Sequence, residues 1–404
     1  MTAWPRTYDG YTVQLAPFGE LRPFHGVLMN APSEVVELMR SGATEPFVGL
    51  TTGGEALRDL YLATNEPDST TDAIVGAVKQ FLDLVDQLDY RQYVQQPFDS
   101  WHRRSWFNAA PVYMPAGVLL DDMRAEQQEA ALAIVKHCLS PSGYDLVRNC
   151  MRINDALGGI LNIYTDTFRE WSLWFTIFGE PSSNEPWGWQ IMGTHIDINC
   201  TIAGGTVILE PLFLGAEIRD IKSGPYQGLS LFHAEGDAAL KLGRTLTGKQ
   251  RQRAILFPSM NSKDLPPELG GPIDGRHIGG AGRDNRVVPY EGLSASELST
   301  EQLGLLVELI NVYLERFPPR RKQQRWEEIQ AHLDEIHIAW IGDPERLPFY
   351  YRVHGPTIWI EYDHHPALML DSPLEKPLLD HVHTIMRAPN GGDYGMALIG
   401  RPTA

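Results

Sequence analysis

Two spacings of apolar residues take turns along this chain. Between residues 72 and 88, Ile74, Val75, Val78, Phe81, Leu82, Leu84, Val85 and Leu88 fill one face of a helix, with Asp72 placed as its N-cap. An Ala-rich helix is expected over residues 119–138. Ser140-Pro141-Ser142-Gly143 ends it and caps a third, running from Tyr144 to about Leu161. At Glu170 the period changes, and residues 171–178 have the aromatic and β-branched composition of a strand. From His195 to Ile202 the alternation has period two: Ile196, Ile198, Cys200 and Ile202 point one way, His195, Asp197, Asn199 and Thr201 the other. Gly204-Gly205 supplies a two-residue turn, so residues 187–217 read as a β-hairpin in which Asn199 faces Glu210.

Helical spacing returns over residues 235–257, weakened by Gly243 and Gly248, and over 301–316, opened by the capping box Ser299-Thr300-Glu301-Gln302. Residues 320–336 are so charged that a solvated outer helix is expected. Residues 265–292 form a long excursion rich in glycine and proline, with Arg276, His277, Arg283 and Arg286; loops of this length within a domain are usually lids or disordered. Residues 348–363 predict a second hairpin around Gly355-Pro356, with Thr357, Trp359, Glu361 and Asp363 on one face. Residues 1–70 predict irregular chain with strand-like pieces at 11–15 and 47–51. The pattern gives an α+β fold in one continuous domain. A helical layer (about 70–165 and 299–337) packs on antiparallel sheet from the hairpins at 171–217 and 348–400, and the two hairpins are expected to meet, bringing His195 near His383.

Charge narrows the function. Fifty-one Asp and Glu against 34 Lys and Arg leave a net charge of −17, which repels nucleic acid and anionic membranes but permits a small anion held by a local Arg. Cys138, Cys150 and Cys200 form no CxxC pair, so a disulfide framework is not expected and a reducing compartment is. The amino terminus lacks a secretory pattern, and no apolar run has the length of a membrane span. The expectation is a soluble, cytoplasmic protein whose partner is a small molecule. Gly279-Gly280-Ala281-Gly282 lacks the Lys-Ser/Thr of a phosphate-binding loop.

The candidate chemistry lies in the histidines. Four of the thirteen, His364, His365, His381 and His383, fall within twenty residues, beside Glu361, Asp363 and Asp380. His381 and His383 are two apart, which on a strand puts both imidazoles on one face and within reach of one metal ion. His364 and His365 are adjacent, so at most one can join them.

Several scattered motifs occur together: Phe178-Gly-x-Pro-Ser, Glu185-Pro-Trp-Gly-Trp-Gln, Gly193-x-His-x-x-x-Asn199, Phe213-x-Gly-Ala-Glu, Ile360-Glu-Tyr-Asp, His381-x-His-Thr-x-x-Arg387-x-Pro and Asp393-Tyr-Gly. With Trp106-x-Asn108, Gly117-Val-Leu-Leu and Leu139-Ser-Pro-Ser-Gly-Tyr144, the set resembles the domain-of-unknown-function family 3500 over roughly residues 70 to 400. The resemblance implies one α+β unit of nearly full chain length and hands over no activity. The chain departs from the family pattern at Asp197, where a small polar residue is more usual, and at Asp380, where an amide is.

The leading expectation is a metal-dependent enzyme, hydrolytic, acting on a small organic, carboxylate-bearing substrate. His195, His381 and His383, with Glu361 or Asp363, would hold a divalent Zn or Fe; Glu361 or Asp197 would be the general base; Arg387 would hold a carboxylate or oxyanion. Trp187, Trp189, Asn199 and Trp359 would contact substrate. Alternatives are a mononuclear non-haem iron oxygenase, for which His195-Ile-Asp197 is a formal ligand match, a metal-free His/carboxylate catalyst, and a non-enzymatic small-ligand-binding protein. No Gly-x-Ser-x-Gly elbow supplies a serine nucleophile.

Overall fold

The computed structural model describes residues 7–8, 11–13, 33–62, 69–86, 91–108, 116–161, 168–270, 276–366, 370–371 and 376–399. A thirteen-stranded sheet organises them. Its eight longer strands are β1 (Leu173–Phe178), β2 (Trp187–Gly193), β3 (Ile196–Ala203), β4 (Leu212–Ala216), β5 (His337–Gly342), β6 (Phe349–His354), β7 (Trp359–Pro366) and β8 (Pro377–Arg387). They lie in the order β5-β6-β7-β8-β4-β3-β2-β1, each antiparallel to its neighbour. The pairing of β8 with β4, with His383 opposite Gly215, is where the two expected hairpin regions meet.

The two faces of the sheet are covered differently. Trp187, Trp189 and Ile191 of β2, the isoleucines of β3, Leu212 and Leu214 of β4, and Val382 and Met386 of β8 share a core with helices. Those helices are α2 (Ser69–Asp86), α3 (Ala125–Cys138), α4 (Pro141–Leu161), α5 (His233–Thr245), α6 (Thr300–Leu314) and, through Ile329, α7 (Pro319–Gln330); α1 (Ser33–Thr44) lies outside this group. On the other face α1 and loops do the covering. Met192, Phe213 and Ile385 pack with Met39, Trp106, Phe107 and Tyr394, and Trp359 packs with Leu50 and Val288. Side-chain alternation on β8 thus sends His381 and His383 to the loop-covered face.

Several local expectations change. Helix α2 begins at Ser69, so Asp72 lies in its first turn, where its carboxylate accepts from the Ser183 hydroxyl at 2.6 Å. The helix expected over 119–138 starts at Ala125. Val118–Leu119 instead pairs with β1, and Arg124 and Gln127 cap the shortened helix. The helix expected over 235–257 breaks after Thr245 because Thr247 caps a new one, Gly248–Ala254, and Ile255–Phe257 joins β5 in parallel. Residues 33–44, read as irregular, are helical; Leu15 of the expected 11–15 piece lies outside the described residues.

The charged helix α7 is not simply solvated. Its inward face buries Arg321, Arg325 and Glu328. Arg325 sits 2.7 Å from Glu210 and 2.6 Å from Glu328. Burial alone would raise the Glu210 carboxyl, but Arg325 and Arg321 overcome it and hold it below the usual range. Glu210 is in this network because the β3 register slips. Thr201 faces Ile208, as a Gly204-Gly205 turn requires, yet Ile198 faces Leu212 one residue out of step, and Asn199 bonds to Pro211. Asn199 therefore does not face Glu210.

Candidate metal centre

His195 lies on the turn between β2 and β3 rather than on the alternating strand. Its φ of 63° is in the left-handed region, where histidine is one of the better-tolerated side chains. Backbone bonds fix it on both sides: its N–H donates to the Asn108 carbonyl at 3.0 Å, and its carbonyl accepts from Gly215 N–H at 2.8 Å. A Cβ at Gly215 would lie 2.9 Å from Cδ2 of His383 and 3.1 Å from Cδ2 of His195. Glycine is what lets the two rings close over β4.

The three imidazoles converge through the same atom. Nε2 of His381 is 3.1 Å from Nε2 of His195 and 2.9 Å from Nε2 of His383. All three residues are buried, and they form the one group with metal-ligand spacing among the described residues. His381 donates its Nδ1–H to the Pro366 carbonyl at 2.7 Å, which leaves its Nε2 as a lone pair in the neutral ring. Burial, then the neighbouring His383, His365 and His195, push the His381 pKa well below its ordinary value. Neutral nitrogens aimed at one point repel one another unless a proton or a cation lies between them. The spacing is a few tenths of an ångström tighter than the roughly 3.3 Å separating two ligands of a tetrahedral ion bound at about 2.0–2.1 Å. The donor set therefore fits a small divalent ion with slight opening.

A second layer of rings surrounds these three. His365 stacks on His383 with centroids 4.6 Å apart, and His277 lies 5.2 Å from the His383 ring. His365 Nδ1 is 2.8 Å from Asp363, whose other oxygen accepts from Arg276 Nε at 2.6 Å. Burial would raise the Asp363 carboxyl, but Arg276 and His365 hold it far below the usual carboxylate range. His364 points the other way, into the aromatic core against Phe349 and Tyr362. The excursion over 265–292 supplies His277 and Arg276 and is pinned across β7.

Glu361 makes that attachment. It accepts from the N–H groups of Ile278 and Gly279, from the Tyr350 hydroxyl and from Trp359 Nε1, at 2.7 to 2.9 Å. So occupied, it stands outside the nitrogen group as a loop anchor and has no oxygen left for a metal or for base catalysis. Arg387 is likewise engaged: its Nε donates to Asp393 at 2.7 Å, Nη2 to Asp284 at 2.5 Å and Nη1 to the Gly279 carbonyl at 3.1 Å. It is a buried strut with no fork free for a substrate. Trp187 and Trp189 lie on the helical face of β2 and cannot line the site. Asn199 is spent on Gln190 and Pro211, and Trp359 on Glu361. Asp197 is buried on β3 opposite Met192 and Phe213, outside the nitrogen group.

Two clefts among the described residues, of about 540 and 270 Å³, are not lined by these three histidines. No described helix is long and apolar enough to cross a membrane. The family model described as "Protein of unknown function (DUF3500)" matches residues 67–396, and the chain belongs to that family. No curated protein and no solved structure matches the chain.

Proposed function

We propose that the protein is a metal-dependent enzyme in which His195, His381 and His383 hold a divalent cation, and that it acts hydrolytically on a small organic substrate. The observation that carries this reading is the convergence of three buried Nε2 atoms from segments 186 residues apart, two of them 3.1 Å from one another. A bound Zn²⁺ would polarise a carbonyl and lower the pKa of a water towards about 7. The ligand set contains no carboxylate among the described residues, which favours Zn over the two-histidine, one-carboxylate arrangement of iron oxygenases. Beside it, Asp363 fixes the His365 ring through Nδ1, so His365 Nε2 is the atom best prepared to take and return a proton. Arg276 keeps Asp363 charged for that role. The three buried, unbridged cysteines suit a reducing, cytoplasmic setting.

The test is elemental analysis of untagged protein prepared without chelator, alongside His195→Ala and His383→Ala. About one Zn per chain, lost in both folded variants, is the expected result. Stoichiometric iron would move the reading to oxygen chemistry. No stoichiometric metal would return the cluster to metal-free catalysis or ligand binding.

A further inference from the structure

Arg286 and Arg283 are an unusual pair in an acidic protein. Carboxylates outnumber cations by 51 to 34, yet Arg286 makes no ion pair or side-chain hydrogen bond among the described residues. Arg283 donates to the His277 carbonyl and meets no carboxylate among the described residues. Arg286 is half-buried; burial first, then Arg283, lowers its pKa, and Glu361 and Glu268 do not compensate. Arg286 also lines the 270 Å³ cleft. Arg352, buried in the same wall, is already engaged: it gives Nη2 to Glu291 at 2.6 Å and lies against the Tyr350 hydroxyl and the Trp359 ring. The rest of the lining is mixed: Leu269, Ile278, Val288 and Ile341 give it an aliphatic wall, and Glu268, Glu291 and Tyr350 are its polar part.

We propose that this cleft is a binding site for a small monocarboxylate with an apolar body, its carboxylate held by Arg286. The planar fork of a guanidinium matches the geometry of a carboxylate. The aliphatic wall takes the body of the ligand, and the volume limits it to roughly the size of a substituted benzene ring. Glu291 is paired with Arg352, so Arg286 balances one negative charge and Glu268 at the cleft repels a second, which selects against nucleotides and other polyanions. The site is separate from the histidines and does not rest on the metal reading. It touches that centre through Ile278, which lines the cleft and whose neighbour His277 packs on His383.

The test is calorimetric titration of the full chain with benzoate, phenylacetate and 3-methylbutanoate, beside benzamide as the neutral match. The expected result is binding of at least one carboxylate, none of benzamide, and a loss of roughly tenfold or more in Arg286→Gln. His383→Ala should bind the acid as the unaltered chain does, because a carboxylate could otherwise reach the protein by ligating a metal. Failure of all three acids to bind overturns the site, as does equal binding by Arg286→Gln. Binding lost in His383→Ala but kept in Arg286→Gln places the acid at the histidines and also overturns it.

Discussion

His365 and His364 are neighbours in sequence with opposite surroundings, and each gives a prediction. His365 faces the cluster with Asp363 behind it. His365→Gln should lower turnover by about 10²–10⁴-fold, the usual contribution of a general acid–base group, while elemental analysis still finds the metal. Loss of the metal as well would make His365 a ligand instead. His364 faces the core, and neither ring nitrogen has a hydrogen-bond partner among the described residues. Burial drives its pKa down to about 3. In the unfolded chain it titrates near its ordinary value, so as pH falls from about 6.5 the unfolded state takes the proton first. The stability His364 leaves intact above that pH is lost progressively towards about pH 3. His364→Phe should therefore gain about 1–3 kcal/mol at pH 7 by removing unsatisfied buried nitrogens. Its advantage should grow by about 1.4 kcal/mol per unit between pH 6 and 4. Urea unfolding at a series of pH values measures both; a gap that does not widen with acid would show that His364 finds water or a partner.

At the scale of elements, what the sequence disclosed depended on whether a partner was local. The His381-x-His383 pair was legible because strand alternation is a local rule. The meeting of the two hairpins was legible from their matched polar faces. The roles of Glu361 and Arg387 were not. Both sit in motif-like surroundings, but their partners, Gly279 and Asp284, come from the long excursion, which carries no periodicity to place it. The same limit hid His277. The charge of α7 was read correctly as composition and wrongly as exposure, because the acid that draws it inward, Glu210, is displaced from its expected face by the one-residue slip after β3. That buried network makes a prediction of its own. Arg325→Met leaves Glu210 with only the more distant Arg321, 3.7 Å away, and should cost about 3–5 kcal/mol in chemical denaturation, whereas Glu210→Gln with Arg325→Met should recover part of it. Equal losses in the single and double variants would mean that the bonds from Arg325 to Glu328 and the Thr357 carbonyl, not the pairing with Glu210, carry the stability.

For the whole molecule, the sheet separates two kinds of packing. Helices cover one face with an apolar core, and on the other face loops hold buried charges and rings together. The histidines lie on that second face and come from both hairpin regions. His195 belongs to the turn before β3, and His381 and His383 to β8, with β4 between them. An ion held by all three would tie together segments 186 residues apart, a contact whose loop-closure cost is high. Binding to the native state alone stabilises it by about 2.7 kcal/mol at a hundredfold excess over Kd. In a chain of this size that is an increase of a few degrees in Tm. The increase should appear on adding Zn²⁺ to chelator-treated protein, should be absent in His383→Ala, and should depend on Zn²⁺ concentration as the logarithm of [L]/Kd. Amide exchange should slow throughout β3, β4 and β8 together, because the ligands sit on both sides of the β4–β8 pairing. Slowing confined to β8 would mean that the ion is held by the His381–His383 pair alone and that the three-histidine centre does not form.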